Sequence, residues 1–134
     1  MPVQWTEDLA TGIQQIDADH RELYRQVAAL HASMRSGQME QVPATLEFLQ
    51  GYAVDHFARE EREMEASGYL GLGEHRRLHQ RFVAEFLLQK AQLTASLTPS
   101  GVVAFSHWLT DWLHEHVRTV DGDMARHLRR HGRT

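Results

Sequence analysis

The chain has 134 residues, enough for one domain to bury a single core, with 42% hydrophobic and 24% charged residues and a net charge of −4 when its histidines are neutral. That balance argues against nucleic acid as a partner, and no apolar run approaches the ~18 residues needed to cross a bilayer, so no membrane insertion is expected. Cysteine is absent, which excludes disulfides and thiolate sites and leaves nitrogen and oxygen to hold any metal.

Residues 1–17 show no helical period and are expected to form an ordered arm, with Trp5, Leu9, Ile13 and Ile16 laid against the rest of the domain. The opening residues lack the basic and apolar regions of a secretory leader, which makes the cytoplasm the expected location. Breakers then cut the chain at Ser36-Gly37, at Ser67-Gly68 through Gly73, and at Thr98-Pro99-Ser100-Gly101. The first segment repeats Leu23, Val27, Leu30 and Met34 at helical spacing behind Asp17, a candidate N-cap, and predicts a helix over about 18–36. Pro43 opens a second helix over about 42–66, with Leu46, Leu49, Ala53, Phe57 and Met64 on its stripe and Gly68 as C-cap. Leu78, Phe82, Phe86 and Leu93 mark a third over about 74–96, and Val102, Phe105, Leu109, Leu113, Val120, Met124 and Leu128 a fourth over about 101–130. Four such helices with short connections bury their stripes only against one another, so the expected fold is all-α: an up-down-up-down four-helix bundle in a single domain, 1–134.

Ten histidines are far above ordinary usage, and several fall inside the apolar stripes rather than opposite them. His20 extends the first stripe backward by a turn, His56 and Glu60 sit within the second, His75 and His79 lead into the third, and His116 lies in the fourth. Groups four apart share a helix face, so HFARE (56–60) and HRRLH (75–79) can each aim two side chains at one point. Asp121 follows His116 by five residues, about 140° round an ideal helix, so a shared target requires a helix locally overwound or bulged, or a carboxylate that reaches across. A lone inward histidine is more often a hydrogen-bonded core residue, but burying five imidazoles and two carboxylates without partners would cost several kcal/mol per group. A divalent metal site removes that cost. Seven nitrogen and oxygen donors exceed one tetrahedral zinc and suit two six-coordinate first-row metals. If both carboxylates bridge, together with a solvent oxygen, the imidazoles divide three and two and one metal keeps an open position, for which dioxygen is the first candidate.

In order and spacing, His20, HFARE, HRRLH and HVRTVD (116–121) resemble the hemerythrin pattern of one His, then HxxxE, HxxxH and HxxxxD, and Trp5 with GIQQIDADH (12–20) is similar to the start of a bacterial hemerythrin. The resemblance covers essentially the whole chain. It implies reversible O2 binding at two non-haem iron ions with a bridging oxo or hydroxo: His75, His79 and His116 on the saturated iron, His20 and His56 on the open one, Glu60 and Asp121 bridging. It also implies that Leu113, one turn before His116, lines the oxygen pocket, excludes water and slows autoxidation. A free-standing monomeric carrier, store or donor of O2 is therefore expected, not an enzyme. The alternatives are a di-iron enzyme or sensor for peroxide or nitric oxide, and a structural or zinc-storing bundle. His31, His107, His114, His127 and His131 are expected at the surface or around the ligands. Asp19, Asp55, Glu61, Glu63, Asp111 and Asp123 are expected to be solvated or capping, and Trp108 and Trp112 to be packing residues.

Overall fold

The computed structural model describes residues 4–134; the first three residues of the expected arm lie outside them. The arm holds one short 3-10 turn, Glu7–Leu9, and runs into α1, Gln14–Arg35. Leu9, Ile13 and Ile16 are buried, and the Arg21 guanidinium sits 4.4 Å over the Trp5 ring, so the arm is packed against the bundle as expected. Helix α1 begins about a turn earlier than its periodicity suggests, and Asp17 is not its N-cap. Instead the Asp17 carboxylate turns back to the arm, accepting from the Thr11 backbone N–H and hydroxyl, both at 2.8 Å, and from the Gly12 N–H at 3.3 Å. Gly12, at φ +81, is the left-handed residue that this reversal needs.

After a turn at Ser36-Gly37, α2 spans Val42–Ser67 with Pro43 in its first turn. It ends on Gly68 at φ +71, while the Tyr69 N–H returns to the Met64 carbonyl at 2.9 Å, the six-to-one closure of a glycine-capped helix. Helix α3 spans Leu72–Ala95, and α4 spans Pro99–Glu115 behind an N-cap in which the Thr98 hydroxyl accepts from the Gly101 N–H. A Cβ at Gly101 would stand 2.9 Å from Leu93 Cδ1, so the Leu93 side chain would have to shift to admit one. The expected fourth helix is continuous in direction but not in pitch: residues His116–Val120 form a π turn, and α5, Asp121–Arg130, continues from it.

Among the described residues there is no strand, and α1 packs against α2 and α4, α2 against α3, and α3 against α4, the ring of an up-down-up-down four-helix bundle. No helix of the described residues is long and apolar enough to cross a membrane. The core divides in two. A large cluster runs from Leu23, Val27 and Leu30 through Phe57, Phe82 and Phe86 to Leu113 and Val117, and a small one joins Ile13, Ile16, Met64, Met124, Ala125 and Leu128. Between them, at one level of the bundle, lies a layer of buried polar side chains.

Candidate metal centre

That layer is built from the seven residues singled out in the sequence: His20 from α1, His56 and Glu60 from α2, His75 and His79 from α3, His116 from the π turn and Asp121 from the start of α5, each at most 5% exposed. Along α1, α2 and the last helix they fall between apolar residues of the large cluster and of the small, as His20 lies between Leu23 and Ile16; on α3, His75 and His79 fall between Phe82 of the large cluster and Leu72, which packs against the small. Asp121 reaches the layer through the π turn. In that turn the chain is bulged rather than overwound, so five residues advance little more than one revolution and the carboxylate comes back beneath His116.

The donors converge in two groups, Glu60, His75, His79, His116 and Asp121 in one and His20, His56, Glu60 and Asp121 in the other, with ligand atoms within 4.8 Å of one another in each. Each carboxylate offers one oxygen to each group. Glu60 Oε1 lies 3.5 Å from His75 Nε2 and 3.2 Å from His79 Nε2, while Oε2 lies 3.5 Å from His20 Nε2 and 3.0 Å from His56 Nε2. Asp121 Oδ1 lies 3.1 Å from His75 Nε2 and 3.2 Å from His116 Nε2, and Oδ2 lies 3.0 Å from His20 Nε2.

These separations match neighbouring donors on one six-coordinate ion with bonds of about 2.1 Å, and they are not hydrogen bonds. The Nε2 atoms of His20, His75, His79 and His116 and all four oxygens of Glu60 and Asp121 are buried without a hydrogen-bond partner. Leaving so many polar atoms unpaired in a folded core is costly, and a pair of cations held by nitrogen and oxygen satisfies them together. The residues present therefore fit two metals, with three imidazoles on one side and two on the other.

In the absence of metal, protons play that part. Burial alone would depress the imidazolium of His20, but the Asp121 and Glu60 carboxylates outweigh it and raise its pKa to about 10; the same balance raises His75 to about 9. Glu60 and Asp121 are correspondingly held well below the usual carboxylate range despite burial, chiefly by His56 and His116 respectively.

Aromatic rings and two outer carboxylates fix the imidazoles. Phe57 stacks on His79 at 3.8 Å between centroids and 9° between planes, and Trp112 on His116 at 4.3 Å and 13°. Asp19 and Glu61, expected to be solvated or capping, are bonded instead to His56 Nδ1 and His79 Nδ1, each at 2.9 Å. For Asp19 a signal was present: it stands three residues after Ile16 and four before Leu23, on the edge of the inward stripe. Nothing comparable marks Glu61. The remaining histidines lie outside the layer as expected: His114 pairs with the Tyr24 hydroxyl at 2.9 Å, His127 contacts the Ser67 carbonyl and hydroxyl at 3.1 Å, His31 is half-buried, and His107 and His131 are exposed.

Beside the layer is a cavity of about 20 Å3, room for a molecule of one or two heavy atoms. Its walls include His20, His56, His116 and Asp121 but neither His75 nor His79, and apart from those four they are apolar or aromatic, with Leu23, Ala53, Phe57, Trp112, Leu113 and Val117 nearest the polar layer.

Comparison with known proteins agrees with this geometry. The family model described as the hemerythrin HHE cation binding domain matches residues 11–128. A bacteriohemerythrin of Stenotrophomonas maltophilia strain R551-3 is 30% identical over 127 residues, covering 95% of this chain and 82% of its own. A myohemerythrin of Riftia pachyptila is 29% identical over 120 residues, covering 90% and 88%. Among solved structures, wild-type hemerythrin superposes with a TM-score of 0.82 at 25% identity, covering 93% of this chain and 96% of its own.

Proposed function

This chain belongs to the hemerythrin family, and from that premise we propose that it binds O2 reversibly at a non-haem di-iron centre, as an oxygen carrier, store or donor and not as an enzyme. His75, His79 and His116 would hold one iron and His20 and His56 the other, with Glu60 and Asp121 spanning the two. When bound, the iron pair supplies the electrons with which O2 is held and given back.

The observation that carries the reading is the cavity, whose walls include both imidazoles of the two-imidazole side but, of the other three, only His116. A diatomic ligand fits it, and its walls offer no acid beyond the ligand residues themselves. Leu113, 4% exposed, closes it one turn from His116 and keeps water out. Reduced oxygen escapes as peroxide only after protonation, so a wall without proton donors favours returning O2 over turnover. In this reading the domain works as a monomer with O2 as its ligand.

Anaerobic reduction of the iron-loaded protein followed by O2 is expected to produce a visible charge-transfer band that disappears on deoxygenation, with about two irons per chain. One-way conversion to a ferric form, or sustained turnover of peroxide or nitric oxide far above that of free iron, would overturn it.

A further inference from the structure

We infer that Asp19 and Glu61 are positioning residues, one for each half of the metal centre, which lock His56 and His79 with the Nδ1 proton facing outward and the Nε2 lone pair facing in. The inference rests on the metal reading above and adds to it two residues that touch no metal.

A neutral imidazole carries one proton on either nitrogen, and only the unprotonated one can bind a metal. An ionised carboxylate beside Nδ1 can accept but not donate, so it selects the form in which Nε2 is free. His56 and His79 both meet this condition, at 2.9 Å. By contrast, the Nδ1 atoms of His20 and His75 are buried without any partner. Each half of the centre thus contains one imidazole whose proton position is set by a carboxylate.

The two carboxylates are held differently. Asp19 is 1% exposed and saturated with donors: Oδ2 accepts from His56 Nδ1 and from Arg59 Nε at 2.8 Å, and Oδ1 from the Tyr52 hydroxyl at 3.0 Å and Gln15 Nε2 at 2.9 Å. Oδ2 cannot swing away without stranding the buried His56 Nδ1, and Oδ1 is held by the half-buried Tyr52 and the exposed Gln15. Glu61 is half-buried, accepting from His79 Nδ1 through Oε2 and from Arg76 Nε through Oε1 at 3.1 Å. The ties also run between helices, Asp19 of α1 to His56 of α2 and Glu61 of α2 to His79 of α3, so ring orientation and helix spacing are set by the same bonds.

The test uses zinc as a diamagnetic probe, titrated against a competing chelator into metal-free protein carrying 15N-labelled histidine, with ring nitrogens read by NMR. The parent is expected to take up two ions, with protonated Nδ1 on both His56 and His79. Asp19→Asn, which keeps the volume but can donate to Nδ1, is expected to weaken one ion about 10- to 100-fold and remove the His56 Nδ1 proton, leaving His79 as it was. Glu61→Gln should do the same to the other ion and to His79. Tyr52→Phe, which removes one donor from Asp19, should move His56 in the Asp19→Asn direction by a smaller factor.

If Asp19 and Glu61 only tie the helices together, both variants will bind two ions like the parent with unchanged ring signals, and the inference fails. Should Asp19→Asn not fold, an unchanged Glu61→Gln is sufficient to overturn it. A parent that does not take up two ions would instead refute the metal reading itself, whatever the variants do.

Discussion

Leu113 and the buried histidines show how single side chains act on this centre. Leu113 is buried in the cavity wall, and trimming it enlarges the cavity beside the polar layer. Leu113→Ala is expected to cost about 2–5 kcal/mol in urea unfolding and to shorten the life of the oxygenated protein, read as faster decay of its visible band; an unchanged decay would contradict the role given to this residue. His20 and His75 lead to a prediction about pH whose sign is not intuitive. Their pKa values in the folded metal-free chain, about 10 and about 9, lie above the unfolded value of ~6.5, so they stabilise that form fully below pH ~6.5 and lose the effect as pH rises through 9 to 10. Metal needs both rings neutral. His56 is shifted upward as well, so loading at pH 7 should release at least two protons, measurable as buffer-dependent heats of binding, and a heat independent of the buffer would count against the assignment. Six of the seven layer residues could be read from the sequence, because each falls on an apolar stripe where a polar side chain is out of place; Asp121 lies off the stripe of a regular helix and was legible only through its resemblance to the HxxxxD pattern. Glu61 could not be read, because a carboxylate next to another carboxylate on a helix looks like ordinary solvated charge until α3 is placed beside it.

At the scale of the element, the π turn decides where Asp121 points. Helix lengths and breaks were legible because Gly68, Pro43 and Thr98-Pro99 punctuate the chain, and the five-residue gap from His116 to Asp121 announced a distortion. Its kind follows only from the angles: overwinding would still leave the two side chains about 120° apart, whereas the wider π turn brings Asp121 back under His116. The start of α1 was missed because Asp17 reads as a cap in isolation, whereas its carboxylate is committed to the Thr11 turn, a contact specified by the folded arm. Removing Thr119, exposed on the π turn, restores plain α pitch and shortens the path to Asp121 by about 1.5 Å. The change is confined to one turn of the last helix, so circular dichroism should still report a folded bundle. Capture of the two ions should weaken, because Asp121 leaves its position between His20 and His75. Loss of the fold itself would show that the bulge serves packing instead.

For the whole molecule, the division of the core matters most. The bundle was predictable from four stripes of similar length, but the stripes do not show that the polar layer cuts their common interior into a large and a small body. The small one is Ile13, Ile16, Met64, Met124, Ala125 and Leu128, gathered from the end of the arm, the start of α1, the end of α2 and α5, with Tyr69 and Leu72 against it. Few apolar contacts hold that end together, so it opens at lower free energy than the rest, and amide exchange in metal-free protein should be fastest around α5. Such an opening uncovers Glu60 and Asp121 while the large cluster stays packed. Leu128→Ala should accordingly speed both uptake and loss of metal more than it changes the equilibrium between them, as stopped-flow mixing with a chelator would show; equal slowing or no change in the two rates would rule this out. The small cluster is thus the door of the vault: on this reading, how tightly six apolar side chains close sets how long a bound metal stays, independently of how well the seven residues of the layer would hold it.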